Sequence, residues 1–461
     1  MILSIEASNI EGFPSTEFDR LNKLVNSFNS HSFKNSEKNR YYEGKITLGE
    51  VNLGIALPEG MRGLEIGCSW GAKTVDVLAS RSMFDGFVGA SGDDIVDLDT
   101  ITVDNNLIAE YMKACRDELK YGCTFATLSA DDKIGVKIRF HSPQTACALW
   151  NGEKNRIECG FAIIDTVPDN ESNMLWNPHI INYYTDDAIF VLTESQGRWY
   201  SQEYPHKMGR PLMEALIWNA TSDKPFGRSR IKEPVRRLIQ GYVRTIANAT
   251  IGLEFSTAPQ KYLLGVTDDQ YDQLINQKFR QYVGSIIAST TNPETGEKPS
   301  FGQLPQGSIA PHVEMVRILA TQFSASTGLS VTDTGVVNDA NPTSSDAILA
   351  QSQTLVAMAE QLNVGNGNSL RVIAQMALAI KKNTNLDNLD DVDKDVVAHF
   401  KNPAMPSVAV TADSAIKIAS ARPSFAETDT FLEMIGFDKA DIRRIKAQER
   451  INAGLQLVNE L

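Results

Sequence analysis

Lys224-Pro-Phe-Gly-Arg-Ser-Arg-Ile-Lys-Glu-Pro-Val-Arg-Arg-Leu-Ile-Gln-Gly-Tyr-Val-Arg-Thr-Ile246 is the stretch from which the organisation of the chain can be read. In and just beyond it, Ile231, Val235, Leu238, Ile239, Tyr242, Val243, Ile246 and Leu253 recur at i, i+4, i+7 and i+8, one stripe of a helix. Pro234 is tolerated because it falls in the first turn. A helix over 231–254 is about 36 Å long at roughly 1.5 Å per residue, and Pro259 ends it. Its other face carries Lys232, Arg236, Arg237 and Arg244. From 224 to 254 seven basic side chains stand against Glu233 and Glu254, a basic segment that needs an explanation in an acidic protein. A second helix is predicted over 312–326, with Val316, Leu319, Ala320 and Phe323 as its apolar side. Between the two lies a small mixed patch. It comprises a strand at Lys261–Val266, a helix at Asp268–Val283 capped by Thr267, a strand at Ser285–Ser289 and a polar stretch from Asn292 to Gly307. Two helices bracketing a compact insertion read as a pair of struts with a module at the far end.

Toward the N-terminus the period changes. Residues 16–30 read as a helix with Phe18, Leu21, Val25 and Phe28 on one stripe, and 62–82 and 101–119 are further helical candidates. From 121 to about 204 the runs are β: Thr124–Leu128, Val136–Phe140, Ala146–Trp150, Gly160–Val167, Ile180–Tyr184, Ala188–Thr193 and Trp199–Tyr204. Turn residues such as Asn151-Gly152 and Gln196-Gly197 separate them, as in an antiparallel meander. Toward the C-terminus, residues 327–345 are rich in Gly, Ser, Thr, Asp and Asn, a loop of unusual length. A helix follows from Ser345, capped by Ser344 or Ser345, with an expected break at Gly365-Asn-Gly367 and a resumption over 369–382. Ser407–Thr411 reads as a strand, and the last fifty residues as helices broken at Pro423 and Gly436.

The chain has 461 residues, a length that suggests roughly three structural units. It carries 44 basic and 57 acidic side chains, a net of −13, the wrong sign for a protein that coats nucleic acid. The acidity is uneven: residues 1–223 hold 20 of the basic and 32 of the acidic side chains, leaving 24 and 25 for 224–461. No segment is apolar enough to span a bilayer, and the first residues lack the pattern of a signal peptide, so no membrane partner and a start in a cytoplasm are expected. The five cysteines, Cys68, Cys115, Cys123, Cys147 and Cys159, are odd in number and contain no C-x-x-C pair. Buried thiols in a reducing compartment account for them better than disulfides or zinc. The six histidines never stand at i, i+4, so no zincin-type site is expected.

Three motifs suggest chemistry. Gly67-Cys-Ser-Trp-Gly-Ala-Lys73-Thr74 departs from the phosphate-cradling pattern by Ala72 in place of its second glycine, and Phe161-Ala-Ile-Ile-Asp165 imitates the strand that ends in a magnesium ligand. A P-loop ATPase needs alternating strands and helices, which the meander does not supply. Leu64-Glu-Ile-Gly67-Cys-Ser-Trp-Gly71 also has the look of a first S-adenosylmethionine methyltransferase motif, with Asp93 or Asp94 as the later acidic contact. The plain alternative is an amphipathic helix burying Trp70, Val75 and Leu78. Asp387-Asn-Leu-Asp-Asp-Val-Asp-Lys-Asp395 imitates a calcium loop but has Val392 where the loop glycine belongs and no closing glutamate. No nucleophile, base and orienting group can be traced, so no catalytic residue, metal or cofactor is expected.

Pro205-His-Lys-Met-Gly-Arg-Pro211, Lys224–Ile231, the long helix and Ala258-Pro-Gln-Lys-Tyr-Leu-Leu-Gly265 together resemble the portal proteins of tailed double-stranded DNA bacteriophages, most nearly those of long-tailed phages. Arg40-Tyr-Tyr-Glu-Gly-Lys45, Trp70-Gly-Ala-Lys-Thr-Val-Asp-Val-Leu-Ala-Ser-Arg81 and Asn341-Pro-Thr-Ser-Ser-Asp-Ala-Ile348 fit the same family in order, across nearly the whole chain. Lys261 departs from the arginine expected there, which keeps the charge but not a bidentate contact.

The resemblance implies an α+β portal fold: a mixed α/β wing containing the antiparallel meander, a two-helix stem, a small α/β clip and a helical C-terminal crown. Its parts fall on 1–223 (wing), 224–255 (first stem helix), 256–310 (clip), 311–327 (second stem helix), 328–345 (tunnel loop), 346–412 (tunnel helix and return to the wing) and 413–461 (crown). It implies a non-enzymatic ring, typically of twelve subunits, forming a DNA channel at one capsid vertex of the virion. Its partners would be double-stranded DNA, terminase, a head–tail adaptor, and the major capsid and scaffolding proteins, with assembly in the host cytoplasm. Thr332, Asp333, Thr334, Asn338 and Asp339 would present the loop to DNA, unless the loop is a plain connector. Arg228, Arg230, Lys232, Arg236, Arg237 and Arg244 would form a basic stem, facing DNA, the capsid opening or acidic neighbours. Ser285, Ile287, Ser289, Phe301 and Gln303 would meet the adaptor.

Overall fold

The computed structural model describes residues 2–47, 49, 63, 65–89, 95–168, 176–257, 261–264, 296, 300–303, 308–336, 345–404, 408–437 and 439–459. The chain divides into two units, Met1–Lys401 and Asn402–Leu461.

The first unit is built on two sheets. The larger has strands β5 (Ala146–Asn151), β6 (Arg156–Pro168), β7 (Trp176–Tyr184), β8 (Ala188–Ser195) and β9 (Arg198–Pro205) in antiparallel succession, with β1 (Ile10–Glu11) added parallel to β9. This is the meander read from the sequence. The two runs before it belong elsewhere: β3 (Cys123–Asp131) pairs with β4 (Gly135–His141) and with β10 (Met213–Ile217) in a second, three-stranded sheet. β10 escapes the sequence reading because Met213, Glu214, Ala215 and Leu216 are all buried, and a strand covered on both faces loses its alternation.

Helix α1 (Phe18–Tyr42) buries Leu21, Leu24, Val25 and Phe28 at helical spacing. With Leu3, Ile5, Ile10 and Phe13 these cover Phe161, Ile163, Ile181, Tyr183, Phe190 and Leu192 of the meander in a small separate core. The helix runs twelve residues past the predicted 16–30, since Asn35 and Lys38 donate to the Pro143 and Tyr121 carbonyls and the Tyr41 hydroxyl accepts from Gln240. That larger core joins the other face of the sheets to α2 (Trp70–Ala79), α3 (Val96–Asp104) and α4 (Leu107–Tyr121). The predicted helix 101–119 is therefore two, divided where Asn106 adopts a positive φ of 49°, a conformation asparagine tolerates better than most residues. The Asn105 amide at the joint donates to the Ile101 and Val136 carbonyls and accepts from the Ile138 amide, tying the break to β4.

Two long helices flank the insertion: α5 (Glu233–Thr257) and α6 (Ala310–Thr327). Beyond them β11 (Lys261–Leu264) pairs antiparallel with β12 (Ser300–Gln303), which lies inside the stretch expected to be loop. The predicted helix at 268–283 and strand at 285–289 fall outside the described residues.

Helix α7 (Ser345–Lys381) is continuous, so the expected break at Gly365-Asn-Gly367 does not occur. Each interior glycine costs about 1 kcal/mol relative to alanine. Here Asn366 is fully buried and donates through Nδ2 to Tyr111 Oη at 3.0 Å and Glu118 Oε2 at 2.8 Å. The buried hydrogen bonds of Asn366 hold this turn against α4, and that tertiary contact outweighs the propensity.

After α7, the acidic 387–395 segment forms a 3-10 turn and the short helix α8 (Asp391–Lys394). Lysines hold it: Lys382 bonds Asp393, and Lys394 bonds the Asp387 carbonyl. Strand β13 (Val396–Phe400) pairs with β2 (Phe84–Gly89), both unforeseen from sequence. The strand expected at Ser407–Thr411 is overturned, because Val408 already begins helix α9 (Val408–Ala421). The alternation in 408–411 imitates a strand, but these residues open a fourteen-residue run rich in alanine, where helix propagation prevails.

The second unit continues with a 3-10 turn at Pro423–Glu427, α10 (Asp429–Ile435), which Gly436 ends at φ 106°, and α11 (Lys439–Asn459). The breaks at Pro423 and Gly436 stand where the sequence puts them. Among the described residues no helix is long and apolar enough to cross a membrane.

Candidate functional site

Arg230 and Tyr242 of the 224–246 stretch meet the rest of the molecule at the root where α5 and α6 join the body. The two helices run antiparallel. Gly241 faces Leu319, Tyr242 and Phe323 both touch Trp70, and farther out Lys261 pairs with Gln303.

Trp70, the first residue of α2, is the keystone. It is 2% exposed. Its ring centroid lies 4.7 Å from that of Tyr242 on α5 and 4.8 Å from that of Phe323 on α6. Aromatic pairs at such distances contribute about 0.5–1.5 kcal/mol beyond the area they bury. Its indole Nε1 donates to the Thr334 carbonyl at 3.2 Å. Burial raises the pKa of Tyr242.

Arg230 stands just before α5 and is 7% exposed. Its Nε donates to the Thr74 carbonyl at 2.6 Å and its Nη2 to the Thr327 carbonyl at 2.8 Å, while Nη1 lies 3.5 Å from Met358 Sδ of α7. Its guanidinium also lies 5.8 Å from the centre of the Trp218 ring. Burial pushes the guanidinium down to about 10. Thr327 is the last residue of α6, where helix carbonyls lack intrahelical donors and a cation is favoured. Gly328 follows at φ 72°, and a β-carbon there would come 2.7 Å from Met358 Cε.

The segment after α6 is held by its own side chains. The Ser330 amide and hydroxyl donate to Asp333 Oδ2, the Thr334 hydroxyl donates to the Val331 carbonyl, and Thr332–Thr334 form a 3-10 turn. Of the predicted loop residues, Thr332, Asp333 and Thr334 thus sit in this turn, with the Asp333 carboxylate engaged by Ser330. Asn338 and Asp339 lie outside the described residues.

The predicted basic set does not act as one group. Arg236 pairs with Glu37 of α1 and, at 2.6 Å, with Glu233; Arg237 binds Glu233 at 2.8 Å; Arg228 lies 3.6 Å from Asp223. Lys232 is exposed and Arg244 half-buried. Arg230 is separate from all of these. A hint was present in the sequence, since a cation at a helix N-terminus is electrostatically misplaced as a surface charge. Among the predicted adaptor contacts, Phe301 and Gln303 lie in β12 opposite Leu263 and Lys261. Ser285, Ile287 and Ser289 fall outside the described residues.

The nucleotide readings of Gly67–Thr74 do not survive this geometry. The Thr74 hydroxyl is buried and bonded to the Trp70 carbonyl at 2.8 Å, and its own carbonyl is taken by Arg230. A β-carbon at Gly71 would lie 2.0 Å from the Tyr41 carbonyl oxygen, so that glycine serves helix packing rather than phosphate. Asp165 is exposed at a register irregularity in β6. The five thiols are free, and among the described residues no group of His, Cys, Asp and Glu could hold a metal ion.

Two helices bracketing an insertion are read from the sequence itself, and the structure has both of them. The chain belongs to the phage portal proteins. The family whose pattern it matches, over residues 29–454, is described as phage portal protein, SPP1 Gp6-like. No curated protein matches it. Solved structures similar to it include one described as the virion of a native gene transfer agent particle, at 11% identity and a TM-score of 0.44, covering 77% of this chain and 86% of that one. Another is the neck of the native particle computed with C12 symmetry, at 10% identity and 0.45, covering 80% and 89%.

Proposed function

We propose that the chain is the repeating unit of a closed, non-enzymatic ring, with twelve copies, that forms the DNA channel at one vertex of a phage capsid. The genome is packaged and ejected through it. The observation that carries this reading is the family match, which spans both long helices and the insertion between them. In the ring α5 and α6 act as the stem, 256–310 as the clip, 328–345 as the tunnel loop and 413–461 as the crown. A two-helix stem from each subunit closes by rotation into a barrel, a heterologous interface that ends on itself.

The ring docks terminase during packaging and a head–tail adaptor afterwards, the latter through Ser285, Ile287, Ser289, Phe301 and Gln303. It assembles in the host cytoplasm with the capsid and scaffolding proteins and remains in the virion. Thr332, Asp333, Thr334, Asn338 and Asp339 offer DNA polar, net acidic contacts. Lys232, Arg237 and Arg244 supply the basic component, tempered by carboxylates such as Glu233, which binds Arg237. Weak contact suits a conduit, since every neutralised phosphate adds salt-dependent affinity that would hold DNA in place.

Electron microscopy and native mass measurement of the purified protein test this reading. The expected particle is a ring with a central hole. A monomer without a hole under every assembly condition overturns it, and a ring that fails to bind terminase identifies a different structural component of the virion.

A further inference from the structure

We propose that Arg230 and Trp70 are positioning residues that fix where the segment after α6 leaves the body, and that they do so by gripping its main chain at two points. The proposal rests on the portal reading for its meaning, because this segment begins the loop assigned above to the channel.

Both grips are on backbone carbonyls. Arg230 holds Thr327 at the last residue of α6, and Trp70 holds Thr334 seven residues on. Both donors belong to the body: Trp70 opens α2, and Arg230 is anchored to α2 through the Thr74 carbonyl. The two grips are therefore four residues apart on one ten-residue helix, and that short helix acts as a rigid gauge for the segment it holds.

Between the grips the chain is closed on itself. Gly328 turns at φ 72°, the Leu329 carbonyl accepts from Ser324 Oγ at 2.6 Å, and Leu329 is buried in the core. The amides of Asp333, Thr334 and Gly335 donate to Ser330, Val331 and Thr332.

The Arg230 guanidinium has no carboxylate among its hydrogen-bond partners in the described residues, which are the two carbonyls and the Met358 sulfur. Burying a cation is costly unless hydrogen bonds compensate it. A hydrophobic residue would fill the same space without that cost, so fold stability alone does not explain an arginine here. A fork whose two arms reach carbonyls on separate elements ties those elements together, which an apolar side chain cannot do. The grips themselves hold main chain, while the turn between them is closed by the side chains of Ser330, Asp333 and Thr334.

Hydrogen–deuterium exchange on the full-length assembled protein tests this, read at the amides of 328 and 333–335 against those in the middle of α5. Trp70→Phe keeps an aromatic ring between Tyr242 and Phe323 but removes the N–H, and Arg230→Met keeps the bulk but removes the fork. We expect each to speed exchange of the 328 and 333–335 amides about tenfold or more while α5 stays protected. Unchanged exchange at those amides in both Trp70→Phe and Arg230→Met overturns the proposal. So does equal loss of protection in α5, which would mark a role in packing alone. The exchange readout does not require that the protein be a portal, and ring formation tests that separately.

Discussion

The two ends of the α5–α6 hairpin are made of the same kind of helix and yet differ in what covers them. At the root, Val235, Ile239, Val243 and Ala247 of α5 and Leu319, Ala320 and Phe323 of α6 are buried within the chain itself. Farther out, Leu253 on α5 and Val313 and Met315 on α6 are 43–49% exposed. One end is finished by intramolecular packing and the other presents apolar side chains to solvent. Clustered exposed apolar side chains mark interaction surfaces, and for a portal subunit the proposed cover is the neighbouring stem.

The sharpest way to break this contrast is at the root. Phe323 is fully buried against Trp70, so Phe323→Ala should cost about 3–5 kcal/mol, measured by denaturant unfolding. A loss below about 1 kcal/mol would mean that the root is not packed as described.

Proton linkage offers a second probe of the finished part of the molecule. Glu118 is fully buried between α4 and α7. Its Oε2 accepts from Asn366 and its Oε1 has no partner among the described residues, with Tyr111 and Cys115 of α4 and Cys123 of β3 nearby. Burial pushes its carboxyl up from 4.5 to about 8, the Asn366 hydrogen bond pulling it partly back. Between those values the folded protein keeps a proton that the unfolded chain has released. Stability should therefore be greatest below the unfolded pKa and fall as pH rises toward 8, by up to ~1.4 kcal/mol per unit. Glu118→Gln should flatten that slope in urea titrations at pH 5 to 8. An unchanged slope would mean that Glu118 is ionised in the fold.

At the outer end the expectation reverses. Val313→Ser should change the stability of the separated subunit by about 0.5 kcal/mol or less while weakening ring assembly, followed by native mass measurement. Assembly as robust as before would remove Val313 from the interface. The smallest effect is expected for Arg237→Ala. Its ion pair with Glu233 is exposed on both sides, and such pairs contribute about 0–1 kcal/mol. Thermal unfolding should detect little change.

Much of the architecture was legible in the sequence because it depends on periodicity. The 231–254 stripe, the seven β runs, the helix after Ser345 and the breaks at Pro423 and Gly436 are each written in residues near one another along the chain. The family, too, was legible, from the order of short motifs around Pro205–Pro211 and Lys224–Ile231. What escaped depends on partners far away in sequence. β2 and β13 exist because they find each other across some three hundred residues. Gly365-Asn-Gly367 stays helical because Tyr111 and Glu118 receive Asn366.

The same division runs through the site. The sequence by itself determined that a basic helix and a second helix bracket an insertion, and that Trp70, Val75 and Leu78 share the buried side of a helix, read over 62–82 where the structure has it begin only at Trp70. Only the tertiary structure decided that Arg230 points inward, onto the carbonyls of Thr74 and Thr327, while Arg236 and Arg237 meet carboxylates. The reason is physical: a side chain's charge is local to its residue, but its partners are set by packing. Backbone carbonyls left over at a helix end leave no trace in composition or spacing.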